Sequence, residues 1–216
     1  MRGRGPTTMT AVQRFLKTGE LVATGGSTNG AVVRAVAVGW AAPVAAQDHR
    51  RALVERLTRT THAAPSALVS AQVVAAMSAW SLEGVDPATL VEVAGEELVF
   101  TIRAYDPDEH DVATMRDALA GQWTAPTTTG ISLDAIETTA AAISIVRDAS
   151  SLAESMLSAI RLGGDTDTMA ALVGGLLGAL YPAEVDALPW LPQVRIPDHA
   201  TAIVDAMVRY RWARYA

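Results

Sequence analysis

The sequence predicts an all-α domain, a compact multi-helix bundle. Apolar residues recur along most of the chain at three- and four-residue spacings, and turn residues cluster between those stretches, as in amphipathic helices that cover one another. Half of the residues are hydrophobic and 19% are charged, so folding can bury enough apolar surface to offset ordering the backbone. A length of 216 residues suits a single domain, residues 1–216, with a sizeable core.

Taken in order, residues 18–28 read as a glycine-containing loop, and a helix starts at Gly30 with Asn29 placed to cap it. Val69, Val73, Ala76, Met77 and Trp80 form an apolar stripe at helical spacing. Asp86-Pro87 supplies an N-cap followed by proline at the first helical position, and Val91, Ala94 and Leu98 continue a helical face over 86–105. Within it, Leu98-Val-Phe-Thr-Ile102 is rich in β-branched and aromatic residues, so periodicity alone leaves a short strand open. Residues 105–111 and 124–131 read as loops, and Ile136, Ala140 and Ile143 make a second stripe. The helix expected from Met169 to Leu180 is small or apolar all round, which predicts burial on every side and close helix approach at Gly174, Gly175 and Gly178. Pro182, Pro189, Pro192 and Pro197 leave a meandering connection, and a last stripe of Ile203, Val204, Met207 and Val208 follows.

Composition excludes several classes. Seventeen Lys+Arg against 23 Asp+Glu give a net charge of −6, and no local basic stripe compensates, so nucleic acid is not an expected partner. With no cysteine there is no disulfide, thiolate metal site or cysteine nucleophile. The longest uncharged apolar run, residues 169–181, falls short of the roughly 20 needed to span a bilayer, so no membrane is expected. The start, residues 1–6, is positively charged but leads into Thr-rich polar sequence, which is not a secretory pattern, and cytoplasm is the expected compartment.

The chemistry concentrates in Leu162-Gly-Gly-Asp-Thr-Asp-Thr-Met169. Asp165, Asp167 and Thr168 put two carboxylates and a hydroxyl within four residues, a set of hard oxygen donors suited to Mg2+, Mn2+ or Ca2+. Gly163 and Gly164 let the backbone turn tightly beside a ligand. A plainer reading has Asp165 or Thr166 capping the following helix. The acids between Asp106 and Asp111 lack the central glycine of a Ca2+ loop and read as a solvated segment.

Gly163-Gly-Asp-Thr-Asp-Thr168 and the small-residue helix after it resemble the signature of the ADP-ribosylglycohydrolases, the family of the dinitrogenase-reductase-activating glycohydrolases and the ADP-ribosylarginine and ADP-ribosylserine hydrolases. Gly26-Ser-Thr-Asn-Gly-Ala-Val-Val-Arg-Ala-Val-Ala-Val38 is similar to that family's ligand loop and helix, and Thr61-His62 to its Thr-His dipeptide, in the same order. The resemblance implies an all-helical fold with two Mg2+ ions, or Mn2+, that splits the glycosidic bond between ADP-ribose and a modified protein side chain or small molecule. It places Asp165, Asp167 and Thr168 among the metal ligands. It places Ser27, Thr28, Asn29, Gly30, His62, Gly163 and Gly164 against ADP-ribose.

The resemblance covers nearly all of this chain but only about the last two-thirds of the family domain, so the expected fold is N-terminally truncated. The family's acidic catalytic residue and its Thr-Asp-Asp-Thr ligand set have no counterpart here. Two expectations follow: a hydrolase that is inactive alone or completed by a partner, or a non-catalytic ADP-ribose-binding or structural remnant. If the absent helices normally cover the small-residue helix, self-association through the uncovered apolar face is expected as well.

Overall fold

The computed structural model describes residues 5–215; residues 1–4 of the charged start lie outside them. Eleven α-helices follow in order: α1 Pro6–Thr18, α2 Gly30–Ala41, α3 Gln47–Arg59, α4 Pro65–Ser81, α5 Pro87–Tyr105, α6 Glu109–Ala120, α7 Ala135–Arg147, α8 Leu152–Arg161, α9 Thr166–Gly178, α10 Pro182–Val185 and α11 Ala200–Tyr215. Among the described residues the only β pairing is two isolated bridges. The all-α expectation holds.

The element at the centre is α4, with 14 of its 17 residues buried. It packs against α2, α3, α5, α7 and α9. The apolar stripe read from sequence is only part of it, because Ser70, Gln72, Ser78 and Ser81 are also fully buried. Much of their polarity is absorbed internally: Ser78 Oγ donates to the Val36 carbonyl at 2.7 Å and Gln72 Nε2 to the Arg51 carbonyl at 2.9 Å.

Asp86 caps α5 as expected, its carboxylate accepting the Thr89 N–H at 2.7 Å. The helix runs unbroken through 98–102. Leu98 and Thr101 bury on one helical face there, and that packing overrides their strand preference. Glu97 lies on the same face and takes Arg51 in a two-pronged ion pair (2.7 and 3.1 Å) and Arg50 at 3.3 Å. All but Arg51 are essentially sealed from solvent, and the Arg50 Nε and Nη1 have no partner.

Helix α9 differs from its sequence reading. It ends at Gly178, two residues short of Leu180. Met169, Leu172, Val173, Leu176 and Leu177 are buried, whereas Ala170, Gly174 and Gly178 are half-buried and Ala171 is exposed. The expected close approach holds at Gly175, where a Cβ would lie 3.0 Å from Val36, and at Gly174, where it would lie 3.3 Å from Met156, but the helix is not sealed all round, so the buried post of the fold is α4. Large exposed apolar side chains gather elsewhere: Phe15, Leu16, Leu21 and Val22 on and after α1, and Ile203, Val204, Val208 and Trp212 on α11. Among the described residues no single helix is long and apolar enough to cross a membrane.

Candidate functional site

The site is spliced together by the short segment between Gly130 and α7. On one side, the Ile131 N–H donates to the Gly163 carbonyl (3.1 Å) and the Asp165 N–H to the Ile131 carbonyl (2.8 Å). On the other, the Asn29 N–H donates to the Leu133 carbonyl (2.8 Å) and the Ala135 N–H to the Ser27 carbonyl (3.0 Å). The loop before α2 and the turn before α9 are thereby bonded to one strip of backbone. Gly130 (φ +67°) and Gly164 (φ +71°) make this approach possible: a Cβ on Gly164 would lie 2.1 Å from the Ile131 oxygen, and one on Gly130 2.2 Å from the Gly164 nitrogen. The sequence marked 124–131 as a loop only.

Side chains complete the join. The Asn29 amide, 5% exposed, donates to Thr138 Oγ1 at 3.0 Å and to Asp165 Oδ2 at 2.7 Å. Asn29 and Asp165 occupy the N-cap positions of α2 and α9, yet neither side chain caps its own helix. The capping alternative is thus replaced by a cross-link, and the N-terminus of α2 keeps its dipole without a side-chain acceptor. Asp167 is exposed, and its Oδ1 accepts the Thr168 N–H at 2.9 Å. A side-chain hydrogen bond with Asp165, then that backbone N–H, hold its carboxyl below the usual carboxylate range.

His62 lies beneath the same loop, 1% exposed. Its Nδ1 faces the Thr61 hydroxyl at 2.8 Å and the Arg34 guanidinium at 3.4 Å, and Arg34 also donates to Thr61 Oγ1. A guanidinium only donates, so Thr61 must donate onward and Nδ1 must accept. Nε2 therefore carries the proton and donates to Thr28 Oγ1 at 2.9 Å, and Thr28 in turn donates to Thr7 on α1 at 3.0 Å. Burial, with the Arg34 charge second, pushes the His62 pKa down from 6.5 to about 4. The ring is neutral at neutral pH and orients the Thr28 hydroxyl.

Two cavities flank the join. One, about 350 Å3, lies between α1 and the loop and is lined by Thr7, Thr10, Arg14, Gly25, Gly26 and Thr61. The other, about 580 Å3, lies beyond Asp134 and is lined by His110, Asp111, Asp117, Trp123, Asp134 and Glu137. In the latter, burial, then the Asp134 and Asp108 charges, push Asp111 up.

Ser27, Thr28, Asn29, Gly30, His62, Gly163, Gly164, Asp165, Asp167 and Thr168, drawn from three distant stretches of sequence, thus meet at one end of the bundle. Asp165, Asp167 and Thr168 are the residues here that could hold a hydrated Mg2+ or Mn2+, an ion commonly held by one or two carboxylates with water filling the remaining positions. Among the described residues no group of three or more His, Asp or Glu side chains gathers for a metal. The sequence reading missed Thr138 and the 131–135 backbone. Thr138 gave no signal, being one of two adjacent threonines between Glu137 and Ala140 with nothing to set it apart from Thr139.

A sequence model of the family described as ADP-ribosylglycohydrolase matches residues 1–215. Among solved structures, one titled "ADP-ribosylglycohydrolase-related protein complex" superposes with a TM-score of 0.75 at 28% identity, over 95% of this chain and 69% of that one. No curated protein matches.

Proposed function

The chain belongs to the ADP-ribosylglycohydrolase family, a family of glycohydrolases, and from that premise we propose that it acts, with Mg2+, on the bond joining ADP-ribose to a modified side chain or small molecule. The observation that carries this reading is the join itself: Asp165 is hydrogen-bonded, through Asn29, to the loop of Ser27 and Thr28, with Asp167 and Thr168 following it in the same turn.

Each residue then has a physical task. The uncapped N-terminus of α2 attracts an anionic group such as a diphosphate, and the exposed Ser27 and Gly30 leave its approach open. His62 fixes the Thr28 hydroxyl against Thr7 and so holds the loop in place, and being neutral it takes no part as an acid near pH 7. Asp165, Asp167 and Thr168 would hold the cation, which when bound orients ribose oxygens and stabilises charge on the reacting centre. Asp167, held anionic, also favours positive charge developing on an oxocarbenium-like sugar. The family resemblance implies further carboxylates, and the exposed apolar surface of Phe15, Leu16, Leu21 and Val22 offers a seat for a second copy or partner that supplies them.

The test is release of ADP-ribose from ADP-ribosylated arginine and serine peptides, with Mg2+ and with chelator. Release that needs Mg2+ and disappears in Asp167→Ala supports the assignment; release unchanged in Asp167→Ala overturns it. A second reading, ADP-ribose binding without hydrolysis, is favoured by the lack of a three-carboxylate group among the described residues. In that case excess ADP-ribose raises the thermal midpoint while no product forms. A ligand at 100 times its Kd stabilises by about 2.7 kcal/mol, a shift of several degrees.

A further inference from the structure

Resting on the reading of Asp165 as a cation ligand, we propose that Thr138 is a positioning residue for the site, acting through Asn29 to aim the Asp165 carboxylate. Thr138 lies in the first turn of α7, is fully buried, and places its Oγ1 3.0 Å from Asn29 Nδ2. A primary amide carries two N–H protons in one plane, so fixing one fixes the direction of the other. The Thr138 hydroxyl takes the first, and the second is delivered to Asp165 Oδ2 at 2.7 Å, leaving the other oxygen of that carboxylate for a cation.

The same stretch of chain acts twice. Thr138 follows Asp134 by one helical turn, and Asp134 pairs with Thr28 through the antiparallel bridge that holds the Asn29 backbone. Backbone and side chain of Asn29 are therefore both registered to the start of α7. Without the hydroxyl, a buried N–H loses its acceptor and the amide is free to turn, which would bring its carbonyl oxygen against Asp165.

The experiment compares the wild-type chain with Thr138→Val and Thr138→Ser by two readouts: Mn2+ affinity by calorimetry, and hydrogen exchange of the Asn29 side-chain amide by 15N NMR, assigned by its loss in Asn29→Asp. We expect the valine variant to unfold cooperatively, to bind Mn2+ about tenfold more weakly, as for partners that orient a metal ligand, and to exchange the amide faster. Serine should restore both. A folded valine variant with wild-type affinity and unchanged exchange overturns the proposal. If the wild-type chain binds no Mn2+, the cation reading itself fails, and the amide readout, which needs no cation, decides the positioning role: faster exchange in valine with rescue in serine supports it, unchanged exchange overturns it. Should the valine variant not fold, Thr138→Ala removes the same hydroxyl without adding bulk and is judged by the same outcomes.

Discussion

Asn29 and Asp165 stand 136 residues apart in sequence and 2.7 Å apart in space, amide donor to carboxylate acceptor. Each occupies a position where its residue type ordinarily caps a helix, and each gives up that role for the other. The loss to α2 and α9 is two side-chain caps. The gain is a fixed distance between the loop of Ser27 and Thr28 and the oxygen donors of the Asp165 turn.

Asn29→Asp tests that contact directly. It sets two carboxylates face to face in a buried position, and we expect a loss of about 2 kcal/mol at pH 7. If a cation belongs there, millimolar Mn2+ should recover much of the loss in the variant. Thermal unfolding with and without Mn2+ measures both effects, and a variant as stable as wild type without Mn2+ would remove the contact from any account of the fold.

His62 makes stability depend on pH. Its pKa in the folded chain is about 4 against 6.5 unfolded, so between those values the unfolded chain binds the additional proton. The contribution is fully present above pH 6.5 and declines as the pH falls to about 4, by about 3 kcal/mol. Urea unfolding from pH 7.5 to 4 should show this slope, and His62→Gln should flatten it.

Gly164 and Gly84 share the same φ of +71° but differ in surroundings. A Cβ at Gly84 meets nothing within 4 Å, so Gly84→Ala costs only the left-handed backbone conformation, about 1 kcal/mol. At Gly164 the Ile131 oxygen would stand 2.1 Å away, and Gly164→Ala should cost about 3 kcal/mol or more. Paired chemical unfolding curves give the comparison, and equal losses would contradict the splice.

Glu97 balances two guanidinium groups, one fully buried. Glu97→Gln leaves Arg50 without a counter-charge in the interior, with an expected loss of about 3 kcal/mol. Replacing Arg50, Arg51 and Glu97 together with apolar residues should cost less than the single change, which denaturant unfolding of both variants will show.

Much of this was legible in the sequence. Asp86-Pro87 announces the start of α5, and the glycine and acid spacing of 163–168 marks the oxygen donors, because these signals are local. What was not legible depends on contacts between distant segments. The role of 130–135 is carried by backbone amides and carbonyls, which every residue possesses, so no side-chain pattern betrays it. The burial of α4 is masked by its serines and Gln72, whose polarity is visible in the sequence while most of its hydrogen-bond partners are not.

The strip of backbone that joins residues 27–29 to 163–165 also bears on the order in which the chain folds. Closing so long a loop carries an entropic cost that only a largely assembled bundle can repay, so the site should be among the last parts to form during refolding and among the first to open. A chain with its local helices in place but this strip unpaired would be mostly helical and have no site, and ligand binding would then report completion of the fold more faithfully than helix content does.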